Sequence, residues 1–209
     1  MDIKLACHQP NYFPWAGYFR KMSEANLFVI LDTVPYSKNS YINRVKIRGD
    51  KWLTIPIQQK FGQIIRDVRL CDIKEPQHQI ELIKQAYQDA TYFDYFSKPL
   101  FRRMSVPWKF LSTLNTSLIM TVARMLGIPT GITQSSFYDF KKTGDDLLIE
   151  ICRHFKATTY LSGVGGKKYQ DENKFKEAGI KIEYPDYNYP DISILDSLFY
   201  YGNNYLHYD

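Results

Sequence analysis

The chain predicts an α/β fold: a doubly wound, mostly parallel sheet with an inserted helical section and a β-hairpin. Three observations predict it. Residues 3–32 read as strand, polar turn, helix and strand. Residues from about 131 onward return to strands alternating with helices, and about 74–127 keep a helical period throughout. A length of 209 residues suits one core, so the whole reads as a single α/β domain over 1–209.

Ile3, Leu5 and Cys7 open the chain as a short buried strand, and the apolar run stops at His8-Gln9-Pro10-Asn11. Pro10 removes a backbone donor and biases Gln9 away from helical angles, which ends the strand. Pro14 sits where a helix can start, with Trp15, Tyr18, Phe19 and Met22 following at three-to-four-residue spacing. Residues 27–31 are all apolar, as a strand covered on both faces requires, and the run ends in Asp32. Two strands joined through a helix pair in parallel. That puts His8 and Asp32 at the carboxyl edge of one sheet, where open α/β sheets bind ligands.

A polar loop carrying Tyr36, Asn43 and Arg44 comes next. Residues 45–47 and 52–57 around Gly49-Asp50 form a hairpin, and 64–70 offers another short strand. The helical section starts near Pro76 and ends at Gly127-Ile128-Pro129, with Trp108, Leu111, Leu114, Leu118, Val122 and Met125 on one stripe. Residues 131–136 form a strand ending in the hydroxyls of Ser135 and Ser136. Thr143 caps a helix whose apolar face is Leu147, Leu148, Ile151, Cys152 and Phe155. The strand 158–161 runs into Ser162-Gly163-Val164-Gly165-Gly166-Lys167-Lys168-Tyr169, then a helix to Ala178 and the strand 180–184. Ser193 with Asp196 opens a last helix by satisfying its free amides.

Composition narrows the setting. The net charge of +5 and pI near 8.9 favour anionic partners. No run of five Lys/Arg exists, so a nucleic-acid tract is not indicated. An anionic small molecule, a nucleotide-sugar or an acyl donor, suits this bias, as does simple solubility. Three cysteines far apart argue against a disulfide framework or a zinc site and for a reducing compartment. Asp2 and Lys4 interrupt any signal-peptide pattern, and no apolar run approaches the roughly 20 residues that span a bilayer. These readings predict a cytoplasmic protein with no transmembrane segment. Assembly as a homo-oligomer stays open. Most of the 17 Tyr and 13 Phe read as core.

Candidate chemistry falls in three places. His8 can serve as acid/base or hold developing charge, or it can fix the turn; Asp32 can hold a substrate hydroxyl or amine or a magnesium ion, or cap its strand end. Gln9, Asn11, Tyr12, Tyr36, Asn43, Arg44 and Ser136 offer substrate contacts from loops and strand ends, with Arg44 suited to a phosphate or carboxylate. Ser162, Gly163, Gly165, Gly166, Lys167 and Tyr169 form a glycine-rich turn between strand and helix, where amides and a lysine meet an anion. The turn has neither the Walker spacing nor the dinucleotide fingerprint. His78, His154 and His207 read as structural or solvated, Cys7 as a buried thiol. No cluster has metal-ligand spacing, and the sequence leaves the cofactor and any magnesium requirement open.

Several of these stretches together resemble the WbqC-like protein family of bacteria. They are residues 8–19, Phe28-Val29-Ile30-Leu31-Asp32, Tyr36-Ser37-Lys38 with Asn43-Arg44, Leu53-Thr54-Ile55-Pro56, Tyr160-Leu161-Ser162-Gly163 with Gly165-Gly166-Lys167 and Tyr169, and Ser193-Ile194-Leu195-Asp196. The resemblance runs over essentially the whole chain and departs at one place. Family members usually carry a longer segment with a Tyr-x-Gln element before the final helix, whereas here Tyr187-Asn188-Tyr189-Pro190-Asp191 runs almost directly into Ser193. The resemblance implies a role in surface-polysaccharide biosynthesis, O-antigen included, with group transfer onto an activated amino sugar. By topology alone, the opening unit is also similar to nucleotidylyltransferases and to ligases that work through acyl-adenylates, without their His-x-Gly-His run. Three expectations follow: a transferase acting on a nucleotide-activated or carrier-linked amino sugar, an ATP-consuming adenylyl or aminoacyl transfer enzyme, or a non-catalytic module that binds glycan precursors.

Overall fold

A computed structural model describes residues 2–203. The chain gathers into two compact units. The first comprises residues up to Gln9, Arg20–Val34 and Pro129–Asn188; the second comprises Pro10–Phe19, Pro35–Ile128 and the chain from Tyr189.

The first unit is an α/β layer structure. Its five strands, β1 (Lys4–His8), β2 (Leu27–Ile30), β7 (Gly131–Gln134), β8 (Thr159–Leu161) and β9 (Lys181–Glu183), all pair in parallel in the order β7-β2-β1-β8-β9. Leu5, Cys7, Val29 and Tyr160 present one face of this sheet to Leu147, Leu148, Ile151 and Cys152 of α5 (Gly144–His154) and to Phe175 of α6 (Glu172–Glu177). Phe28 points to the other face, where Lys21 of α1 (Ala16–Glu24) lies over its ring. Helices on both faces make the sheet doubly wound, as the continuous apolar strands require. Thr143 stands at the start of α5 but makes no side-chain cap bond. The amides of Lys141 and Lys142 just ahead of it donate to Glu150 instead.

The second unit holds the hairpin β3 (Arg44–Ile47) and β4 (Lys51–Thr54), closed through Gly49 and Asp50, both at positive φ. Residues 64–70, expected as a strand, instead form a 3-10 turn (Ile65–Asp67) and a two-residue strand β6 (Arg69–Leu70) that pairs with β5 (Ile57–Gln58). The reason is the spacing of the fully buried pair Ile65 and Val68, three apart, which a turn puts on one side and a strand would split. The helical section is α2 (Glu75–Tyr87), α3 (Phe93–Met104) and α4 (Leu111–Met125). Leu111, Leu114, Leu118 and Val122 are fully buried, while Trp108 precedes the helix and donates its indole N–H to the Arg103 carbonyl. Gly127 closes α4 at φ 66°, with the Ile128 amide bonded to the Ala123 carbonyl, a left-handed cap that glycine adopts without strain. Ser193 caps α7 (Ile194–Tyr201) through the Leu195 amide, but Asp196 turns outward and forms a two-point bridge to Arg48.

Candidate functional site

In the first unit all five strands run the same way, so their carboxyl ends share one edge. The chain builds outward from β1 through β2 to β7, then crosses back to add β8 and β9 on the far side of β1. Such a reversal opens a crevice between the carboxyl ends of the two strands where it occurs. Those strands are β1 and β8, and they end in His8 and in Leu161-Ser162-Gly163.

His8 shares a sheet face with Ala6 and lies in register with Ile30. Its Nδ1 lies 3.2 Å from the Gln9 carbonyl oxygen. With Nδ1–H as the donor, the ring's lone pair is on Nε2. Burial, then the nearby Lys21 ammonium, push its pKa down to about 3 against the pull of the Gln9 carbonyl. The imidazole is therefore neutral near pH 7, able to offer a lone pair or an N–H but no standing charge.

Asp32 is almost fully buried, and its carboxylate is saturated. Oδ1 accepts from the Ser135 hydroxyl (2.9 Å) and the Ser136 amide (3.0 Å); Oδ2 accepts from the Ser136 hydroxyl (2.7 Å) and the Gln134 amide nitrogen (3.0 Å). The Ser135 oxygen in turn accepts from the Asp32 and Thr33 amides. This geometry is a clamp joining the ends of β2 and β7, and Ser136 is one of its jaws.

The glycine-rich turn divides by role. Gly166 is buried under the hydrogen bond from Ser162 Oγ to Gln170 Oε1 (2.7 Å), and a Cβ there would lie 2.3 and 2.5 Å from those two oxygens. Gly163 and Gly165 have open space where a side chain would stand. Lys167, Lys168 and Tyr169 are exposed. The helix expected after the turn comes in two pieces, a 3-10 stretch (Val164–Lys168) and then the six-residue α6. Asp171 caps α6 with its own carboxylate and Glu172 follows, so that helix start is already supplied with negative charge. Any anion at this turn would meet the glycine backbone and the lysines, not a helix dipole.

The other expected contacts belong to the second unit. Asn11 and Tyr12 are buried; the Tyr12 amide donates to the Tyr41 carbonyl, and Asn115 of α4 donates to the carbonyls of Pro10 and Ile42. Tyr36 donates its hydroxyl to Asn43, Asn43 donates to the Ile55 carbonyl, and Arg44 donates to the Asn39 carbonyl while stacking 4.6 Å from the Trp52 ring centre. Tyr36, Asn43 and Arg44 thus brace one loop against the hairpin. His8, Gln9, Asp32, Ser136 and residues 162–169 belong to the first unit. His154 packs edge-on against Tyr138, Phe140 and Phe155, His78 is exposed beside Glu75, and His207 lies outside the described residues. Among the described residues no group of His, Cys, Asp and Glu could hold a metal ion. No helix among them is long and apolar enough to cross a membrane.

The chain matches the sequence model of the WbqC-like protein family over residues 9–208. It belongs to that family. The match starts one residue after His8 and takes in the remainder of the opening motif and every later block. A relative from Mycobacterium tuberculosis (strain ATCC 25618 / H37Rv), described as uncharacterized protein Rv1507c, is 31% identical over 220 residues, covering 95% of this chain and 94% of its own.

Sequence reasoning missed Lys21. It is 4% exposed, its Nζ donates to the Cys7 carbonyl at 3.0 Å, and burial pulls its pKa down to about 8, with Cys7 opposing. A signal existed: Lys21 sits three residues after Tyr18 and four before Ala25, on the stripe of α1 that is buried.

Proposed function

We propose that this WbqC-like protein is a cytoplasmic group-transfer enzyme of bacterial cell-surface polysaccharide biosynthesis, of the O-antigen type, acting on a nucleotide-activated or carrier-linked amino sugar. The observation that carries this reading is the neutral, largely enclosed imidazole of His8 at the β1–β8 switch point, opposite a glycine-rich turn. A neutral imidazole is suited to accept a proton from an attacking sugar amine or to donate a hydrogen bond to a developing oxyanion. Gly163 and Gly165 leave room for a phosphate beside the chain, and Lys167 adds positive charge. Gln9 contributes to the same edge. Asp32 and Ser136 hold the neighbouring strand ends in place, which makes Asp32 a positioning residue for this chemistry. Family membership supports the biosynthetic setting, and two buried free thiols suit a reducing compartment.

The test is a turnover and thermal-shift screen of the intact chain with nucleotide-sugars bearing free amines, each paired with acyl donors. A ligand that raises Tm and is consumed, with turnover abolished in a folded His8→Ala variant, supports the reading. Full activity in folded His8→Ala refutes the role of the imidazole. A second reading, ATP-consuming adenylyl or aminoacyl transfer, draws on the strand–turn–helix–strand opening and on a strand order of the form 3-2-1-4-5. Pyrophosphate release from ATP with an amino-acid panel separates it from the first. Binding of a nucleotide-sugar without turnover in any pairing would favour a non-catalytic module.

A further inference from the structure

The Lys21 ammonium is an unusual group to bury. A charge taken from water needs a counter-charge or a full set of hydrogen bonds, and among the described residues this one has a single acceptor, the Cys7 carbonyl. No carboxylate among the described residues lies within ion-pair range of it; the Phe28 ring, 5.9 Å away, supplies only weak compensation.

Its place in the sheet is specific. The His8 carbonyl turns toward β2, where the Leu31 amide bonds it at 2.8 Å. Successive carbonyls of a strand point to opposite sides, so that of Cys7 turns toward β8. Pairing between β1 and β8 ends at Ala6 and Leu161; the Thr159 amide bonds the Ile3 carbonyl, so by alternation the next amide on the β1 side is that of Gly163, past the end of β8, while the Ser162 amide faces β9 and bonds the Glu183 carbonyl. The Cys7 carbonyl is therefore the first one past the end of the paired ladder, and Lys21 reaches it from α1. The ammonium sits at the floor of the β1–β8 switch point, on the side of the sheet that carries His8.

We propose that Lys21 is an anion-binding residue of the β1–β8 crevice, and that the phosphate or carboxylate of the bound substrate is its missing counter-ion. The inference rests on the proposed site and names the chemical class of ligand that site takes. It also assigns complementary parts to two adjacent groups. Lys21 holds the standing charge, and His8, kept neutral partly by that charge, carries the proton-transfer role of the proposed site. The titratable groups around Lys21 are Cys7 and His8 of β1, with Cys152 of α5 behind Cys7; both thiols have their pKa values raised by burial and stay uncharged near neutrality.

The experiment follows the titration of Lys21 itself. The intact chain is labelled with ¹³C,¹⁵N-lysine, and the Lys21 side-chain resonance is assigned by its loss in Lys21→Arg, or in Lys21→Met should the arginine variant fail to fold. Titrations run at constant ionic strength in chloride, then with saturating inorganic phosphate, pyrophosphate or acetate. The expected result is a midpoint that rises by about one unit or more with at least one of these anions, equivalent to binding at least tenfold weaker once Lys21 is deprotonated. Lys167 and Lys168 serve as exposed controls. A rise with phosphate or pyrophosphate alone assigns a phosphoryl group, and a rise with acetate alone assigns a carboxylate. No rise in any arm, or an equal rise at every lysine, overturns the inference. The outcome is separable from the turnover screen. An amino-sugar donor consumed while the Lys21 midpoint stays fixed defeats this inference alone. A midpoint moved by phosphate with no donor consumed defeats the proposed activity alone.

Discussion

Replacing Asp32 by alanine should cost the first unit about 3–6 kcal/mol, and the figure follows from the clamp's geometry. Four donors lose their acceptor together: the Ser135 hydroxyl, the Ser136 amide and hydroxyl, and the Gln134 amide group. Stranding the Ser136 amide costs about 1–3 kcal/mol, while the wholly buried Ser135 hydroxyl can turn only to the Thr33 hydroxyl at 2.9 Å and gives up a charged acceptor for about 1 kcal/mol. Gln134 and the Ser136 hydroxyl are half-buried and can turn to water, so their loss adds roughly 0.5–1 kcal/mol each. Asp32→Asn keeps one acceptor oxygen for the deep pair and should cost only about 1–2 kcal/mol. At about 2–4 °C per kcal/mol for a chain of this size, the alanine variant should melt roughly 6–24 °C lower. Tryptophan fluorescence is the wrong probe, because Trp15, Trp52 and Trp108 all belong to the second unit. Hydrogen exchange at the β2 and β7 amides, alongside far-ultraviolet circular dichroism, reads the right one. Asp32→Ala within about 1 kcal/mol of the parent, or Asp32→Asn worse than alanine, would refute the clamp.

Three further outcomes are expected. The His8 pKa lies near 3 in the fold against an ordinary 6.5, so the unfolded chain takes up the extra proton between those values. Stability from this group is full above about pH 6.5 and falls on acidification by up to about 1.4 kcal/mol per unit; His8→Gln should flatten that slope in urea titrations, and an unchanged slope counts against the assignment. In the glycine turn, Gly166→Ala forces its methyl against Ser162 and Gln170 and should cost about 1–3 kcal/mol, while Gly163→Ala and Gly165→Ala should melt close to the parent; equal melting of all three would sink the division. Lys21→Met removes a buried charge but strands the Cys7 carbonyl, and the two effects oppose, so stability measured by denaturant at pH 7 should change by no more than about 1 kcal/mol in either direction.

The centre of the sheet was legible because β1 and β2 are largely apolar runs ended by residues that strands reject. Leu27–Ile30 ending before Asp32 and Lys4–His8 ending before Pro10 leave little freedom in where pairing stops. The carboxyl edge followed from parallel pairing. Less visible was what each edge residue does there. An aspartate at a strand end looks the same whether it faces a ligand or four hydroxyl and amide donors from a strand end more than 100 positions away, and only the fold brings Gln134, Ser135 and Ser136 to it. Residues 64–70 misled for a simpler reason, since Ile65 and Val68 fit a short strand by composition and a turn by spacing. Lys21 was hidden by its type, because a lysine between Arg20 and Met22 reads as the solvated side of an amphipathic helix unless its angular position is counted.

His8 and Lys21 share a logic that the rest of the first unit does not. Two other ionised groups of the sheet are met by partners: Asp32 is saturated, and Lys4 bridges Glu183 at 3.0 Å. At the carboxyl end of β1 alone, two ionisable side chains both lose proton affinity to burial, and the cation repels protonation of the imidazole beside it. An apolar pair of similar size would pack there at no electrostatic cost. A fold that carries such a cost at the one edge position its topology leaves open for a ligand is arranged for an incoming negative charge. Its arrival would lower the cost of Lys21 and raise the proton affinity of His8 at the moment a base is needed.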